Sequence, residues 1–490
     1  MIAWLPVLVP AGAGIATLLL GEQRSRPRNV VNLGAAVASS AIVLLMARAA
    51  YTGGAEAASR IAIVPGFTLG VSGDLLGLLF SAVATVLWGV TLVYAIGYME
   101  HARDRARFFG FFAWCIAAAN GVALAEDPLS LFIFYEILTL TTYPLVVHSG
   151  TPEALAAGRK YLYYALGGGA ALLVGMAWLA IIAGSTPFAP GGALDAVSGR
   201  TTELRVIFGL MVAGFGVKAA IMPLHGWLPG AMVAPAPVSS LLHAVAVVKA
   251  GVFGIVRLVN ELYGPALSTS LGVATPLAVA AAVTIVVASV IALRQDDLKK
   301  RLAYSTVAQL SYITLGTALC TPLAAAGAVA HLAHHAVMKI TMFFTAGSLA
   351  ETLHVKKVSE ISGVARRMPV TMASFAVAAF ALAGIPPLAG FASKWLLGAG
   401  ASEGGSVWAL LVYVSSGALA IGYMFPILMA SIRPGEFPEA AGPESDRRMM
   451  WPIVVVAALT IAFGVTAGLP GSPAHWALTA IAPSFGGWTP

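Results

Sequence analysis

Apolar runs of about 20 residues recur from one end of this sequence to the other, and few charges interrupt them. As a helix, each run is long enough to cross roughly 30 Å of hydrocarbon. Lipid offers no water to satisfy backbone N–H and C=O groups, so only α-helices and closed β-barrels span a bilayer. The runs do not alternate apolar and polar residues, as barrel strands require. Composition agrees: 59% of residues are hydrophobic and 10% charged, with mean hydropathy +0.87. Soluble domains carry roughly 25% charged residues. An all-α polytopic membrane protein is expected, and a soluble globular domain is excluded.

About fourteen spans are expected, near 2–20, 28–50, 75–98, 108–125, 128–148, 160–184, 204–222, 237–260, 272–293, 302–320, 324–350, 370–393, 407–431 and 451–470. Loops after odd-numbered spans hold most of the basic residues, among them Arg24, Arg26, Arg28, Arg103, Arg159, Lys160, Lys299, Lys356 and Arg447. Loops after even-numbered spans are nearly bare, with Arg60, Arg200, Arg205 and Arg257 scattered among them. The positive-inside rule then puts the odd loops in the cytoplasm and both termini on the periplasmic side of a cell inner membrane. The formal charge of +7 follows from these loops and does not signal a nucleic-acid partner.

The first apolar run lacks a basic n-region, so it is expected as a retained span and not a cleaved signal. The polar stretches near 51–74, 185–203 and 433–450 are expected as loops, with no soluble domain appended. "LGGGA" at 166–170 lies inside a span without a following Lys-Ser/Thr, so it reads as helix packing and not as a phosphate loop. Cys115 and Cys320 lie in apolar runs with no metal or disulfide spacing. No flavin or nucleotide motif occurs, so no cofactor is expected on this chain.

Ionisable residues inside the runs are the informative exceptions. A charge at the centre of a spanning helix costs roughly 2.5–3.5 kcal/mol on insertion scales. Glu136 stands mid-run in "LSLFIFYEILTLTTYPLVVH", where it is either a helix-tying carboxylate or part of an ion pathway. Lys218 precedes Pro223 by five residues, and a proline there breaks the helix. Broken helices in membranes line protein or water, and transporters place ion sites at them. Lys249 lies midway along its span, with His243 six residues earlier and therefore about 120° away. In "HLAHHAVMKITMFFTAG", His331, His335 and Lys339 recur every four residues along one helix stripe, with His334 beside it. HxxxH also suits zinc, but no Glu or Cys ligand stands nearby and a lysine extends the stripe. A proton relay is the expected use, because histidine exchanges protons near neutrality. Asp297, Lys299 and Lys300 read most simply as a solvated loop, with proton uptake as the alternative.

Lys394 follows a second break, at Pro386-Pro387. The two breaks fall in the seventh and twelfth expected spans, and an odd offset of five inverts membrane orientation. Two inverted five-helix repeats follow, at 108–262 and 263–432, flanked by three helices at 1–107 and a final helix and tail at 433–490.

Together "FYEIL", "VKAAIMPLHGWLPGAMVAPAPVSSLLHA", "DLKKRLAYSTVAQLSY", "HHAVMKITMFFTAG" and "GIPPLAGFASKW" resemble the antiporter-like, proton-conducting subunits of Mrp-type Na⁺/H⁺ antiporters and respiratory complex I, with relatives in membrane-bound hydrogenases. The resemblance covers about residues 75–430. It implies that Glu136 pairs with Lys218, that Lys249 and His243 follow, and that His331, His335 and Lys339 lead to Lys394. Lys394 is similar to the D type of Mrp protein, while "LLHAVAVVKAG" is closer to the pattern of the A type. The implied activity is proton translocation, with or without exchange for Na⁺ or another monovalent cation. The implied partners are other membrane subunits. The competing expectations are a redox-driven pump module, a structural scaffold and a component of a bicarbonate-uptake complex.

Overall fold

The computed structural model describes residues 2–53, 57–64, 67–435, 437, 444–486 and 488–489. The chain is mostly helical. Ten helices among the described residues are long and apolar enough to cross a membrane. They are α1 (Leu5–Leu20, continuous with a short turn from Ile2), α2 (Ser25–Tyr51), α3 (Leu75–Tyr98), α4 (Arg105–Leu124), α5 (Pro128–Val146), α6 (Pro152–Ala183), α8 (Ala236–Leu262), α9 (Ala274–Arg294), α14 (Val407–Ile432) and α15 (Arg447–Val465). The remaining major helices are α7 (Thr201–Ala219), α10 (Leu298–Ala318), α11 (Pro322–Leu353), α12 (Pro369–Ala383), α13 (Ala389–Glu403) and α16 (Pro473–Ile481). Lys218, His331, His334, His335, Lys339 and Lys394 all lie in this second group.

Helix starts follow from short polar side chains. Asp74 accepts from Gly77 N at 2.7 Å, Asp127 from Ser130 N at 2.9 Å, and Asp297 from Lys300 N at 2.8 Å. Each satisfies a backbone donor that has no partner within the helix. Asp297 is therefore the N-cap of α10 and not simply a solvated loop residue. Thr151 caps α6, with Pro152 at its first position, so α6 starts eight residues before the expected 160. Arg159 and Lys160 consequently lie inside α6.

Packing is arranged in shells. Every residue of α8 is buried, as is α11 from Ala324 to Leu349. Around α11 stand α3, α8, α10, α12, α13, α15 and α16. The outer helices turn large apolar side chains outward: Leu19, Val37, Ile181, Leu140, Leu411 and Val414 are all exposed. An apolar exterior around a polar-containing centre is the arrangement that lipid favours.

Four details depart from the sequence expectations. Arg257 is in no loop: it lies in α8 and is 2% exposed. Arg28 lies in α2, equally buried, over the Phe109 ring at 5.3 Å. Cys320 falls in the turn between α10 and α11, half-buried. Within 51–74 a hairpin forms from β1 (Ala58–Val64) and β2 (Phe67–Ser72), antiparallel with Ile61 opposite Leu69. β2 docks on the α4–α5 turn, where Glu126 N donates to Gly70 O at 3.1 Å and Gly70 N donates to Ser130 Oγ at 2.9 Å. "SRIAIV" and "FTLGVS" carry the β-branched residues that favour such pairing.

Candidate functional site

The two proline-containing breaks set the site. α7 stops at Ala219, four residues before Pro223, and the chain runs through turns and a short 3₁₀ segment until α8 starts at Ala236. This break has no second α-helical half, because Pro223, Gly226, Pro229, Gly230 and Pro235 leave no uninterrupted helical stretch. The second break is helix–gap–helix, α12 then α13, across Gly384–Leu388. A helical Leu382 carbonyl would take its hydrogen bond from residue 386, but Pro386 has no N–H. Lys394 Nζ occupies that acceptor instead, at 2.5 Å. The lysine thus caps the carbonyl that the break frees.

From Lys394 a continuous series of contacts runs inward. Its Nζ lies 5.0 Å from the Tyr312 ring centre. Tyr312 stacks on His331 at 5.7 Å, and His331 stacks on His335 at 5.8 Å. His331 is hydrogen-bonded to Ser393 Oγ at 2.9 Å and to Gln309 Oε1 at 3.0 Å. His335 Nδ1 is hydrogen-bonded to Lys249 Nζ at 2.9 Å. Lys339, one turn beyond His335, donates to Ser305 Oγ and, at 3.2 Å, to Leu302 O. The stripe on α11 therefore joins α8, α10 and α13. His331, His335, Lys339 and Lys249 are all 0% exposed. Among the described residues no three His, Cys, Asp or Glu side chains come together as a metal-ligand set.

His243 lies in the π-helical segment Leu241–Val245 of α8, with its ring 4.7 Å from Phe343. Such insertions are frequent at functional sites. Neither His243 ring nitrogen has a hydrogen-bond partner among the described residues, whereas His334 meets the Ala389 backbone. His334 packs near Phe463 on α15 and takes no part in the series.

At the other end, Lys218 Nζ donates to Tyr135 O and lies over the Tyr135 ring at 3.3 Å, a cation–π contact. Glu136 and Lys218 act on each other through their charges without a direct contact between carboxylate and ammonium. Glu136 Oε1 has no hydrogen-bond partner, and the carboxylate packs on Gly169, where a Cβ would come within 2.7 Å of Oε1. The neighbouring Gly168 lies against Val217 of α7. The Gly-rich stretch at 166–170 thus makes room on α6 for Glu136 and α7. Lys218 meets α8 through its backbone: a Cβ on Gly251 would lie 2.7 Å from Lys218 C and 2.3 Å from Ala219 N.

Two groups escaped the sequence reading. Arg257 binds Asp74 at 2.7 Å, Glu261 and, at 3.1 Å, Ala123 O, a buried ion cluster at the far end of α8. Periodicity could have found it, since Arg257 and Glu261 stand four apart on one helix face. Lys299 is half-buried and donates to Ala234 O at 2.7 Å, so the expectation of a freely solvated loop lysine fails there.

Residues 125–420, which contain this whole series, match the family described as NADH:quinone oxidoreductase/Mrp antiporter, transmembrane. Residues 66–109 match the N-terminal family of complex I chain 5. NADH-quinone oxidoreductase subunit N of Desulforudis audaxviator is 34% identical over 395 residues, covering 76% of this chain and 77% of that protein. The D-type Na(+)/H(+) antiporter protein of Alkalihalophilus pseudofirmus is 26% identical, covering 94% and 93%. A chain of the Mrp complex from Dietzia sp. DQ12-45-1b has the same fold, with TM-score 0.86 and 22% identity over 98% of both chains.

Proposed function

As this chain belongs to the NADH:quinone oxidoreductase/Mrp antiporter transmembrane family, we propose that it is the proton-translocating subunit of a multisubunit Mrp-type cation/proton antiporter, and that protons cross it along Glu136, Lys218, Lys249, His243, His331, His335, Lys339 and Lys394. The observation that carries this reading is the series of contacts Lys249–His335–His331–Tyr312, fully buried, that ends at half-buried Lys394. Buried basic groups are expensive to hold in hydrocarbon. A row of them in mutual contact is the arrangement that passes a proton from site to site.

Each step moves one proton between neighbours. Lys218, held as ammonium against the Tyr135 carbonyl and ring, keeps its proton while the Glu136 carboxylate is near. Withdrawal of that negative charge lowers its affinity. The proton crosses to Lys249 beside Gly251, then to His335, along the α11 stripe to His331, and to Lys394 at the second break. Buried polar groups without protein partners, such as His243 and Glu136 Oε1, are the positions where water would complete the path.

The same reading counts α7, α10, α11 and the α12–α13 pair as spans, which makes fourteen. It takes 108–262 and 263–432 as inverted repeats related through the two breaks, with the Arg/Lys-rich loops on the cytoplasmic side of an inner membrane. Support comes from a parallel between the two halves: in each, a helix stops ahead of a proline and a lysine lies close to that stop. A second reading, a pump module of a quinone reductase or membrane-bound hydrogenase, is favoured by the likeness to an NADH-quinone oxidoreductase subunit N. In proteoliposomes holding the purified complex, Lys249→Ala should stop ion-gradient-driven proton movement followed with a pH dye. Wild-type rates in that variant would sink the proposal. Mass spectrometry of the co-purified subunits separates the two readings. Only membrane subunits favours the antiporter, and iron–sulfur, flavin or nickel proteins favour the redox pump.

A further inference from the structure

A helix that stops inside a membrane frees its last carbonyls, and other donors must take them. At the second break Lys394 itself takes Leu382 O. At the first break Lys218 does no such thing: its ammonium reaches Tyr135 O. The freed acceptor there is Val217 O, in the peptide group that joins Val217 to Lys218. In a continued helix it would accept from residue 221, but Ile221 N turns to Gly216 O at 3.0 Å. Val217 O keeps a bond of 3.2 Å from Ala220 N, and its shorter partner is the indole of Trp227, whose Nε1 donates to it at 2.7 Å.

Trp227 comes from the far side of the break and is 1% exposed. Its ring packs on Tyr161 of α6, with centres 5.2 Å apart. Tyr161 donates in turn to Thr139 O of α5 at 3.4 Å, one turn on from Tyr135 and Glu136. One side chain thus ties the end of α7 to α6, on which Glu136 rests, and through Tyr161 to α5, which carries Tyr135 and Glu136. The turn that Trp227 closes is strained. Ala220 is left-handed, with φ 56°, a conformation that glycine takes freely and alanine does not. Such a backbone persists only where its surroundings hold it.

We propose that Trp227 is a positioning residue for proton transfer at Lys218. By capping Val217 O it fixes the turn that carries Lys218, and it leaves the ammonium free to reach Tyr135 in place of the carbonyls of its own break. The indole N–H only donates and passes no proton itself. This rests on the proton-translocating reading above and adds the group that places Lys218. The competing role is packing alone, with the ring filling space against Tyr161.

Trp227→Phe keeps an aromatic ring and loses the donor. In proteoliposomes with the full complex it should slow proton movement roughly 10- to 100-fold, the effect of misplacing a reacting group by about 1 Å, while a gel still shows the assembled complex. Adding Ala220→Gly should restore most of the rate, because glycine holds the left-handed turn without the cap. Ala220→Gly by itself should leave transport unchanged. A ring that only fills space predicts no such rescue. Trp227→Phe at the parent rate, or a slow Trp227→Phe that Ala220→Gly does not help, overturns the proposal. Lys249→Ala is run alongside, and normal transport in that variant defeats the translocation reading itself. Hydrogen exchange then tests the cap without transport. The amides of Ala220 and Ile221, whose bonds close the turn, should exchange roughly 2- to 10-fold faster in Trp227→Phe, the effect of one lost hydrogen bond. Ala220→Gly should bring the Ile221 amide back toward the parent rate. Unchanged exchange at both amides in Trp227→Phe would overturn the proposal whatever the transport rates.

Discussion

At the scale of single residues, Glu136 and Lys218 show how far side-chain type goes and where it stops. Both stood out from sequence because an ionisable group inside an apolar run has few uses in a bilayer. Their relative placement was not legible. It depends on the Tyr135 carbonyl, which takes the Lys218 ammonium, and on Gly169, which gives the carboxylate its place. If Glu136 acts through its charge, then Glu136→Gln, which fills the same space, should leave assembly intact. Proton movement should fall roughly 10- to 100-fold, the effect of a charge worth one or two pKa units at about 1.4 kcal/mol each. Reconstituted transport measured beside a gel of the assembled complex checks this. Normal transport in Glu136→Gln would reduce the residue to packing against α6.

At the scale of elements, the breaks were legible and the charged helix ends were not. The prolines at 223 and 386 stand with further Pro and Gly residues that together break a helical run, and α7 and α12 do stop before them, whereas single prolines at 10, 144, 426 and 452 lie inside helices. The sequence places Arg257 and Lys299 in loops, because a basic residue near a span's end usually serves topology. What overrides that is a local acceptor: Asp74 and Glu261 for the one, the carbonyls of the first break for the other. The close approach of α7 to α8 carries its own prediction. A methyl on Gly251 would fall 2.3 Å from Ala219 N, and backbone cannot yield as a flexible side chain does. Gly251→Ala should cost about 1–3 kcal/mol, the range for overpacking, and should slow transport by shifting Lys218. Thermal unfolding in detergent reads the first effect and reconstituted transport the second. The start of α12 offers a milder case. Glu444 accepts from Val370 N at 2.6 Å and from Thr371 N and Oγ1, both at 3.0 Å, an acidic cap supplied from outside the helix. Glu444→Ala should lower stability by about 1 kcal/mol, as loss of a helix cap does, with transport rates unchanged at temperatures where the complex stays folded.

At the scale of the whole molecule, an apolar exterior surrounds a centre held by polar contacts, so its stability is sensitive to unpaired charge in a way an oily core is not. The Arg257 cluster is the sharpest instance. One guanidinium, 2% exposed, joins the start of α3 through Asp74, the end of α4 through Ala123 O and the end of α8 through Glu261. Taking these ions out of water is costly, and the pairing offsets that cost only while all partners are present. Arg257→Met should therefore destabilise the protein by about 3–5 kcal/mol, because two carboxylates lose the cation they share. Removing the carboxylates' charge as well, with Asp74→Asn and Glu261→Gln, should recover most of that loss. The triple variant keeps the shape and the polar side chain that caps α3, and it no longer holds two carboxylate charges without the arginine they share. Thermal unfolding of the two variants against the parent decides the matter. A triple variant no more stable than Arg257→Met would mean that the hydrogen bond to Ala123 and the packing of the arginine, and not charge balance, hold these three helix ends together.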